Sequence, residues 1–558
     1  MKRPQAEREE NIMARYTIGM DFGTLSGRAI LVDVKTGEEK GASVYEYPHA
    51  VMENALPGGK KLPVDYALQD PQDYLDALTH IVPDLLAQTG VSPDDVIGVG
   101  IDFTACTVLP VDAQGTPLCF SDEYKDDPLA WVQLWKHHGA QDYANRLTRI
   151  AEEQGETFLG RYGGKASSES LFPRLWKIAV EDPKLYDAMD EYVEAGDWLV
   201  RILTGSDTRN SCAAGYKALW SKQDGYPSKA FFKALDPKLE NVIADKLKAP
   251  VQSIGTRAGE IDGKGARLTG LNVGTAVSTA IVDAHSGVPG TLQEVAENQM
   301  LFIMGTSGCQ MLLSKSEKVV PGVFGMVEDG MMPGFIGYEA GQSCLGDHYD
   351  WFAKNCVPEE YAIAAKQKGM NLHQYLTEKA ARLAPGETGL LALDWWNGNR
   401  SILIDNDLTG LMLGMRLTTK PEDIYRTLIE ATAFGTRVII DNFEAAGVQV
   451  DKIFATGGIC QKNPMLMQIF SDITGRPIGI GGSEYGPALG AAVFGALAAG
   501  SERGGYDSVF DATKVMANLT DTVYTPIPKN VAVYDELFSE FMKLHDYFGR
   551  GGNDVMKR

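Results

Sequence analysis

Two short segments combine small, hydroxyl and charged residues in the way phosphate chemistry requires. Asp21-Phe22-Gly23-Thr24-Leu25-Ser26-Gly27-Arg28 sets a carboxylate at the end of a β-prone run, then Gly23, Thr24 and Ser26 in a tight turn, then the cation Arg28. Backbone N–H groups and hydroxyls of such a turn approach a phosphate closely, and Asp21 suits the water shell of Mg²⁺. Gly305-Thr306-Ser307-Gly308 repeats the composition in the second half of the chain. Either segment alone is equally an ordinary Gly-Thr hairpin turn, with Asp21 simply solvated. Together they point to a nucleotide clamp whose two loops face each other across a cleft. A third candidate, Asp283, ends the apolar run Ile281-Val282 and precedes Ala284-His285-Ser286-Gly287, a placement suited to a partly buried base. From sequence alone a helix N-cap is the plainer reading of Asp283.

Competing chemistries find little support. Gly160-Arg161-Tyr162-Gly163-Gly164-Lys165-Ala166 has the wrong glycine spacing for a Walker A loop and Ala where Mg²⁺ needs Ser or Thr. No G-x-G-x-x-G follows a predicted strand, so a Rossmann dinucleotide site is unsupported. Adjacent His137 and His138 diverge, and Cys344 with His348 is an incomplete ligand pair, so protein side chains are not expected to build a metal centre. Met465 and Met467 read most simply as core.

These residues need elements to hold them. Tyr16 to Asp21, Arg28 to Val34 and Ser43 to Tyr47 read as strand, turn, strand, turn, strand. A helix is predicted over Asp70 to Gln88, with Tyr74, Leu75, Leu78, Ile81, Val82 and Leu85 on one face, followed by a buried strand, Val96 to Phe103. The opening pattern recurs after Met300 to Met304, with a strand Cys309 to Ser314. A long helix Glu422 to Ala446, a strand Lys452 to Ala455, Gly457-Gly458 and a helix from about Asn463 follow. The repetition predicts duplicated α/β lobes with a boundary near residue 295 and a cleft between them.

Composition narrows the function classes. At 558 residues a single core is unusual, since cores stop growing at roughly 250–300 residues. Acidic residues number 74 against 52 basic ones, a formal net charge of −22, which argues against nucleic-acid or acidic-membrane partners. The longest apolar run, Ala488 to Ala499, is too short and too rich in Gly and Ala for a membrane span. Residues 1–14 are charged and lack a signal-peptide centre, so a disordered leader is expected there, with Met13 equally able to be a start. Seven cysteines at irregular spacing, without C-x-x-C, give no disulfide framework and suit a reduced, cytoplasmic protein.

The order of the segments carries a resemblance. Asp21 to Arg28, Trp135 with His138, Asp283 after a small apolar strand, Gly305 to Gly308, Thr456-Gly457-Gly458 and Gly486-Pro487-Ala488-Leu489-Gly490-Ala491-Ala492 together resemble the FGGY carbohydrate kinases, over about residues 15 to 545. Tyr45 to His49, Gly100 to Cys106, Val282 to Gly287, Gly337 to Ser343 and Leu393 to Arg400 are similar to the L-ribulose-phosphorylating members of that family.

The resemblance implies an α/β, two-lobed, actin-like ATPase fold of the ribonuclease H type. The lobes would span 15–295 and 296–545, with a tail over 546–558. It implies ATP, Mg²⁺ and a ketopentose as ligands, and is compatible with a homodimer. By position, Asp21 would serve Mg²⁺ through water, with Gly23, Thr24, Ser26 and Arg28 on the phosphates and Gly305, Thr306 and Ser307 gripping them from the other side. Gly457, Gly458 and Asn463 would line the adenosine pocket. Asp283 matches the family's catalytic base, while Thr104, Ala105, Cys106, Lys217 and Glu339 fall where ketose contacts lie. Two departures sit near the sugar: Lys136-His137-His138 where Asp often follows the Trp, and Ala284 where Gln or Asn often follows the base. The expected activity is phosphorylation of L-ribulose in arabinose breakdown. Another pentulose or a pentitol is the near alternative, and an actin-like polymer or chaperone ATPase is the alternative of another class.

Overall fold

The computed structural model describes residues 15–551 together with 555 and 557. The leader expected over 1–14 lies outside the described residues. Two seven-stranded sheets dominate. The first contains β1 (Tyr16–Phe22), β2 (Ser26–Asp33), β3 (Glu39–Glu46), β4 (Val96–Phe103), β5 (Arg257–Glu260), β6 (Ala276–Ser278) and the short β7 (Ile281–Val282). Their order is β5-β6-β4-β1-β2-β3, with β7 also paired to β4. The second contains β8 (Gln299–Met304), β9 (Gly308–Ser314), β10 (Gly325–Glu328), β11 (Ile336–Gln342), β12 (Lys452–Thr456), β13 (Ile478–Gly481) and β14 (Leu519–Tyr524), ordered β10-β11-β9-β8-β12-β13-β14.

The two sheets share one plan. In the first, β1 runs antiparallel to β2 and parallel to β4. In the second, β8 runs antiparallel to β9 and parallel to β12. A helix makes each parallel crossover: α1 (Pro71–Thr89) between β3 and β4, and α4 (Pro421–Ala445) between β11 and β12. The sequence dictates α1 closely. Asp70 accepts from the Gln72 N–H as N-cap, Pro71 occupies the first turn, and Gly90 ends the helix at φ 67°. Tyr74, Leu78, Ile81, Val82 and Leu85 form its buried face.

Three further helices matter to the cleft: α2 (Ser211–Lys217), α3 (Asp283–Thr291) and α6 (Gly486–Ala499), the last following α5 (Pro464–Thr474). Although α6 comes late in the chain, it lies on β1 and β4 of the first sheet. A Cβ on Gly19, Gly98 or Gly100 would collide with the carbonyls of Ala488, Gly495 or Ala491 respectively. Backbone thus meets backbone, which only glycine permits. The same closeness joins α6 to α3, where a Cβ on Gly490 would strike the Ser286 carbonyl. One buried cluster consequently unites Ile30 and Val32 of β2, Val288 of α3, Leu301 and Met311 of the second sheet, and Leu489 and Val493 of α6. The final helix, Pro528–Gly549, carries past the second lobe's expected end at 545, anchored by buried Phe541 and His545.

Candidate active site

The acidic centre of the site is set by strand register. Asp21 on β1 pairs with Asp102 on β4, and the next pair, Phe22 with Phe103, also stacks ring on ring. On the other side of β4, Ile281 pairs with Asp102 and Val282 with Phe103, so Asp283 leaves the sheet one residue beyond. Three carboxylates therefore stand at the C-terminal ends of three adjacent parallel strands, where open α/β sheets place their ligands. Burial pushes the Asp21 carboxyl up, with Arg28 and Asp102 opposing. For Asp102, burial and the charges of Asp21 and Asp283 push it well up, and beyond the neighbouring Asp21 carboxyl its oxygens have no hydrogen-bond partner among the described residues.

Asp283 begins α3 but does not cap it. Val282 occupies the N-cap position, no side chain caps this helix end, and Asp283 Oδ1 accepts only from the adjacent Ala284 N–H at 2.7 Å. Burial, with the charges of Asp21 and Glu339, lifts its carboxyl to about 7. That is the range a general base needs.

The loop Gly23 to Arg28 is tight and braced. Gly23 N–H donates to the Ser26 carbonyl at 3.0 Å, closing the turn. Gln69 Nε2 donates to the Thr24 carbonyl at 2.7 Å, and Trp135 Nε1 donates to Thr24 Oγ1 at 3.1 Å. Arg28 folds back, donating to Ser26 Oγ at 3.1 Å with its Nε 3.6 Å from Asp21. The second loop is closed by Gly305 N–H on the Ser307 carbonyl at 3.0 Å, while Leu345 N–H and Asp347 N–H donate to Thr306. Gly457, at φ 110°, lies so close to the Met304 carbonyl that no side chain fits, which sets Gly457-Gly458 beside Gly305. Asn463 caps α5 instead of standing free, accepting from Leu466 N–H while its amide donates to Thr377.

A cleft of about 930 Å³ opens between the halves, lined by Trp135, His138, Lys217, Thr306, Ser307 and Arg400 among others. Lys217, at the end of α2, stands 3.8 Å from Glu339 of β11. Glu339 Oε2 also lies 3.4 Å from His285 Nε2, without the geometry of a hydrogen bond. Burial disfavours the Glu339 charge, yet Lys217, His285 and Arg400 outweigh it and pull the carboxyl down to about 2. Lys217 is likewise held charged against its burial by Glu339 and Glu169. In the Thr104-Ala105-Cys106 loop, Ala105 is partly exposed between two buried neighbours. Thr104 Oγ1 pairs with Thr107 Oγ1 at 2.7 Å, and Cys106 is buried, its thiol pushed up by burial to about 12.

One residue gathers the loops of this wall. Arg174, fully buried, donates to the carbonyls of Ser168, Cys106, Gln133, Leu134, Trp135 and His137 at 2.6–3.1 Å. Within the departure at Lys136-His137-His138, Lys136 turns outward to Glu53 at 2.6 Å. His137 is buried, and its imidazole is lowered to about 2 by that burial. Among the described residues no group of three or more His, Cys, Asp or Glu is arranged to hold a metal ion directly.

Family models match both halves: the N-terminal domain of the FGGY family of carbohydrate kinases over residues 16–290, and its C-terminal domain over 300–499. The chain belongs to the FGGY family of carbohydrate kinases. Among relatives of this FGGY kinase, the ribulokinase of Geobacillus thermodenitrificans is 54% identical over 545 residues, covering 98% of this chain and 96% of that one. The ribulokinase of Mycolicibacterium smegmatis is 46% identical over 548 residues, covering 98% and 96%. In structure, the xylulose kinase of Rhodospirillum rubrum superposes with a TM-score of 0.77 at 21% identity, covering 96% of this chain and 99% of that one. The glycerol kinase of Plasmodium falciparum with ADP gives 0.73 at 16%, covering 95% and 98%. The fold is thus the two-lobed, actin-like one, and the protein is a carbohydrate kinase with ATP as a substrate, which sets aside a polymer or chaperone ATPase. Among the described residues no helix is long and apolar enough to cross a membrane.

Sequence reasoning passed over Asp102, Glu169, Arg174, His285 and Arg400. Asp102 carried a signal: an acid inside Val96–Phe103, a strand buried at every position, needs a reason to be there. Arg174 and Glu169 carried none, because their partners lie on loops whose meeting only the tertiary fold determines.

Proposed function

We propose that this kinase transfers the γ-phosphoryl group of ATP to the terminal hydroxyl of L-ribulose, giving L-ribulose 5-phosphate in arabinose breakdown in the cytoplasm. The sugar assignment is carried by the 54% identity to a ribulokinase sustained over nearly the whole chain. The division into lobes falls near residue 295, with the sugar and first phosphate loop on one side and the nucleotide pocket on the other.

Roles follow from placement. Asp283 accepts the proton of the attacking hydroxyl from a position where burial has raised its basicity. Gly23, Thr24, Ser26 and Arg28 meet the phosphates from one side, and Gly305, Thr306 and Ser307 from the other. Gly457, Gly458 and the helix end capped by Asn463 border the adenosine. Lys217 and Glu339 hold ketose hydroxyls. The fit of Asp21 to Mg²⁺ rests on its neighbour: two buried carboxyls side by side, with no basic partner for Asp102, suit a cation's water shell, not a dry core. When bound, Mg²⁺ would neutralise phosphate charge, the main electrostatic demand of a loose phosphoryl-transfer transition state.

A coupled ADP-release screen over pentuloses and pentitols tests the reading. The highest kcat/KM is expected with L-ribulose. Activity confined to hexoses or glycerol would overturn the sugar assignment and leave the family intact.

A further inference from the structure

The cleft contains a second cross-lobe ion pair besides Lys217–Glu339. Arg400, which ends the Trp-rich segment after Leu391–Leu393, stands 3.9 Å from Glu169 on the opposite wall, with side-chain exposures of 19% and 14%. Both pairs are set slightly too far apart for a direct hydrogen bond, at 3.8 and 3.9 Å. Both cations lie over one ring, Lys217 Nζ 5.2 Å and the Arg400 guanidinium 5.7 Å from the centre of Phe324. Glu169, Lys217, Phe324 and Arg400 line one cleft, and the Phe324 N–H donates to the Glu339 carbonyl at 2.9 Å. Within it they are ordered. His285, two residues beyond Asp283, lies 3.4 Å from Glu339, Glu339 lies 3.8 Å from Lys217, and Lys217 shares the Phe324 ring with Arg400. Asp283 therefore stands at one end, Lys217–Glu339 in the middle and Arg400–Glu169 at the other.

A cation and a carboxylate held just beyond hydrogen-bond reach offer a donor and an acceptor to one group that is both acceptor and donor. A sugar hydroxyl is such a group, and a bridging hydroxyl converts a loose buried pair into two charge-assisted hydrogen bonds. We propose that Arg400 and Glu169 form a second hydroxyl-bridging station, which holds the C1 hydroxyl of the ketopentose, the end opposite the phosphorylated one. This rests on the ketose-kinase reading above. Arg400 and Glu169 then determine specificity by length and functional group. A sugar lacking that hydroxyl leaves an ion pair unsatisfied in a cleft that the bound sugar has closed to water, a far larger penalty than a lost apolar contact.

The test compares kcat/KM for L-ribulose and 1-deoxy-L-ribulose in the full-length wild type, Glu169→Gln and Arg400→Lys, with MgATP saturating and Tm recorded for each. The wild type should prefer L-ribulose by about 100-fold or more. In Glu169→Gln and Arg400→Lys the preference should fall to within about 5-fold, mostly through a higher KM for L-ribulose, while the KM for MgATP stays within about 3-fold. Folded variants that keep the wild-type preference would overturn the proposal, as would a lowered Tm with the preference unchanged, which is the result for a pair that only braces the lobes. Wild-type inactivity on L-ribulose would instead refute the sugar assignment. The station is then judged by the same ratios on the ketose that is accepted and its 1-deoxy form.

Discussion

Asp21 and Asp102 face each other across β1 and β4 in exact parallel register, two carboxylates side by side in a wall of apolar residues. Such a pair is costly unless something positive completes it. Arg28 stands 3.6 Å from Asp21, and beyond the Asp21 carboxyl beside it Asp102 has no hydrogen-bond partner among the described residues. The pair is therefore a half-built electrostatic site, which accounts for an acid in a strand that would otherwise be filled with Val and Ile.

Burial and its acidic neighbours keep the Asp102 carboxyl neutral until a cation arrives, and Asp102→Asn keeps the shape while removing its capacity to ionise beside that cation. The concentration of Mg²⁺ needed for half-maximal rate should rise by about 10-fold or more, as for other residues that stand behind a metal's immediate partners. Titrating Mg²⁺ at fixed ATP checks this, and an unchanged Mg²⁺ requirement would return Asp102 to a structural role.

Arg174→Lys should be strongly destabilising despite the retained charge. A lysine has three donors on a flexible stem and cannot serve six carbonyls from three loops. Leaving several buried carbonyls unpaired costs about 3–5 kcal/mol. Urea unfolding measures the loss. The KM for MgATP should rise as well, because Trp135, whose carbonyl Arg174 holds, braces Thr24 of the first loop.

Lys217→Ala and Glu339→Ala should weaken sugar use more than ATP use. Each removes one charged partner of a ketose hydroxyl, worth about 1.5–3 kcal/mol, or roughly 10- to 150-fold in kcat/KM. Initial rates with either substrate varied provide the check, and an unchanged sugar KM in both variants would take the pair out of the site.

The fold was legible in the sequence to a large degree, for local reasons. Val96–Phe103 and Gln299–Met304 are apolar runs bounded by turn residues, and α1 announces itself by Asp70, Pro71 and Gly90. The two glycine- and hydroxyl-rich loops were legible as tight turns at strand ends, from the composition they share. The position of α6 was not, since Gly486–Ala499 is apolar on every face and its pattern does not reveal which sheet it covers. Glu169 and Arg400 escaped for the same reason: a pair 231 residues apart becomes a pair only when the two halves close around the cleft. Asp283 was ambiguous until the backbone assigned the N-cap to Val282.

The raised Asp283 carboxyl has a consequence for stability. Its folded value, about 7, exceeds its ordinary value of 3.8, so the folded chain binds the extra proton between those limits. Stability contributed by the neutral carboxyl is present below pH 3.8 and is lost as pH rises through 7. Asp283→Asn removes this loss. At pH 8 it should be more stable than wild type by on the order of 2–4 kcal/mol, and near pH 4 the two should converge. Thermal unfolding across pH 4–8 measures it, and a constant difference over that range would contradict the raised value.

The most direct test of the account is the turnover of Asp283→Asn with both substrates saturating. With Asp283 as the base, kcat should fall by roughly 10²–10⁴ while the binding of MgATP, set by the two phosphate loops and the Gly457-Gly458 pocket, changes by no more than a few-fold. Near-wild-type turnover in the folded, saturated variant would contradict the assignment of Asp283 as the group that takes the sugar's proton.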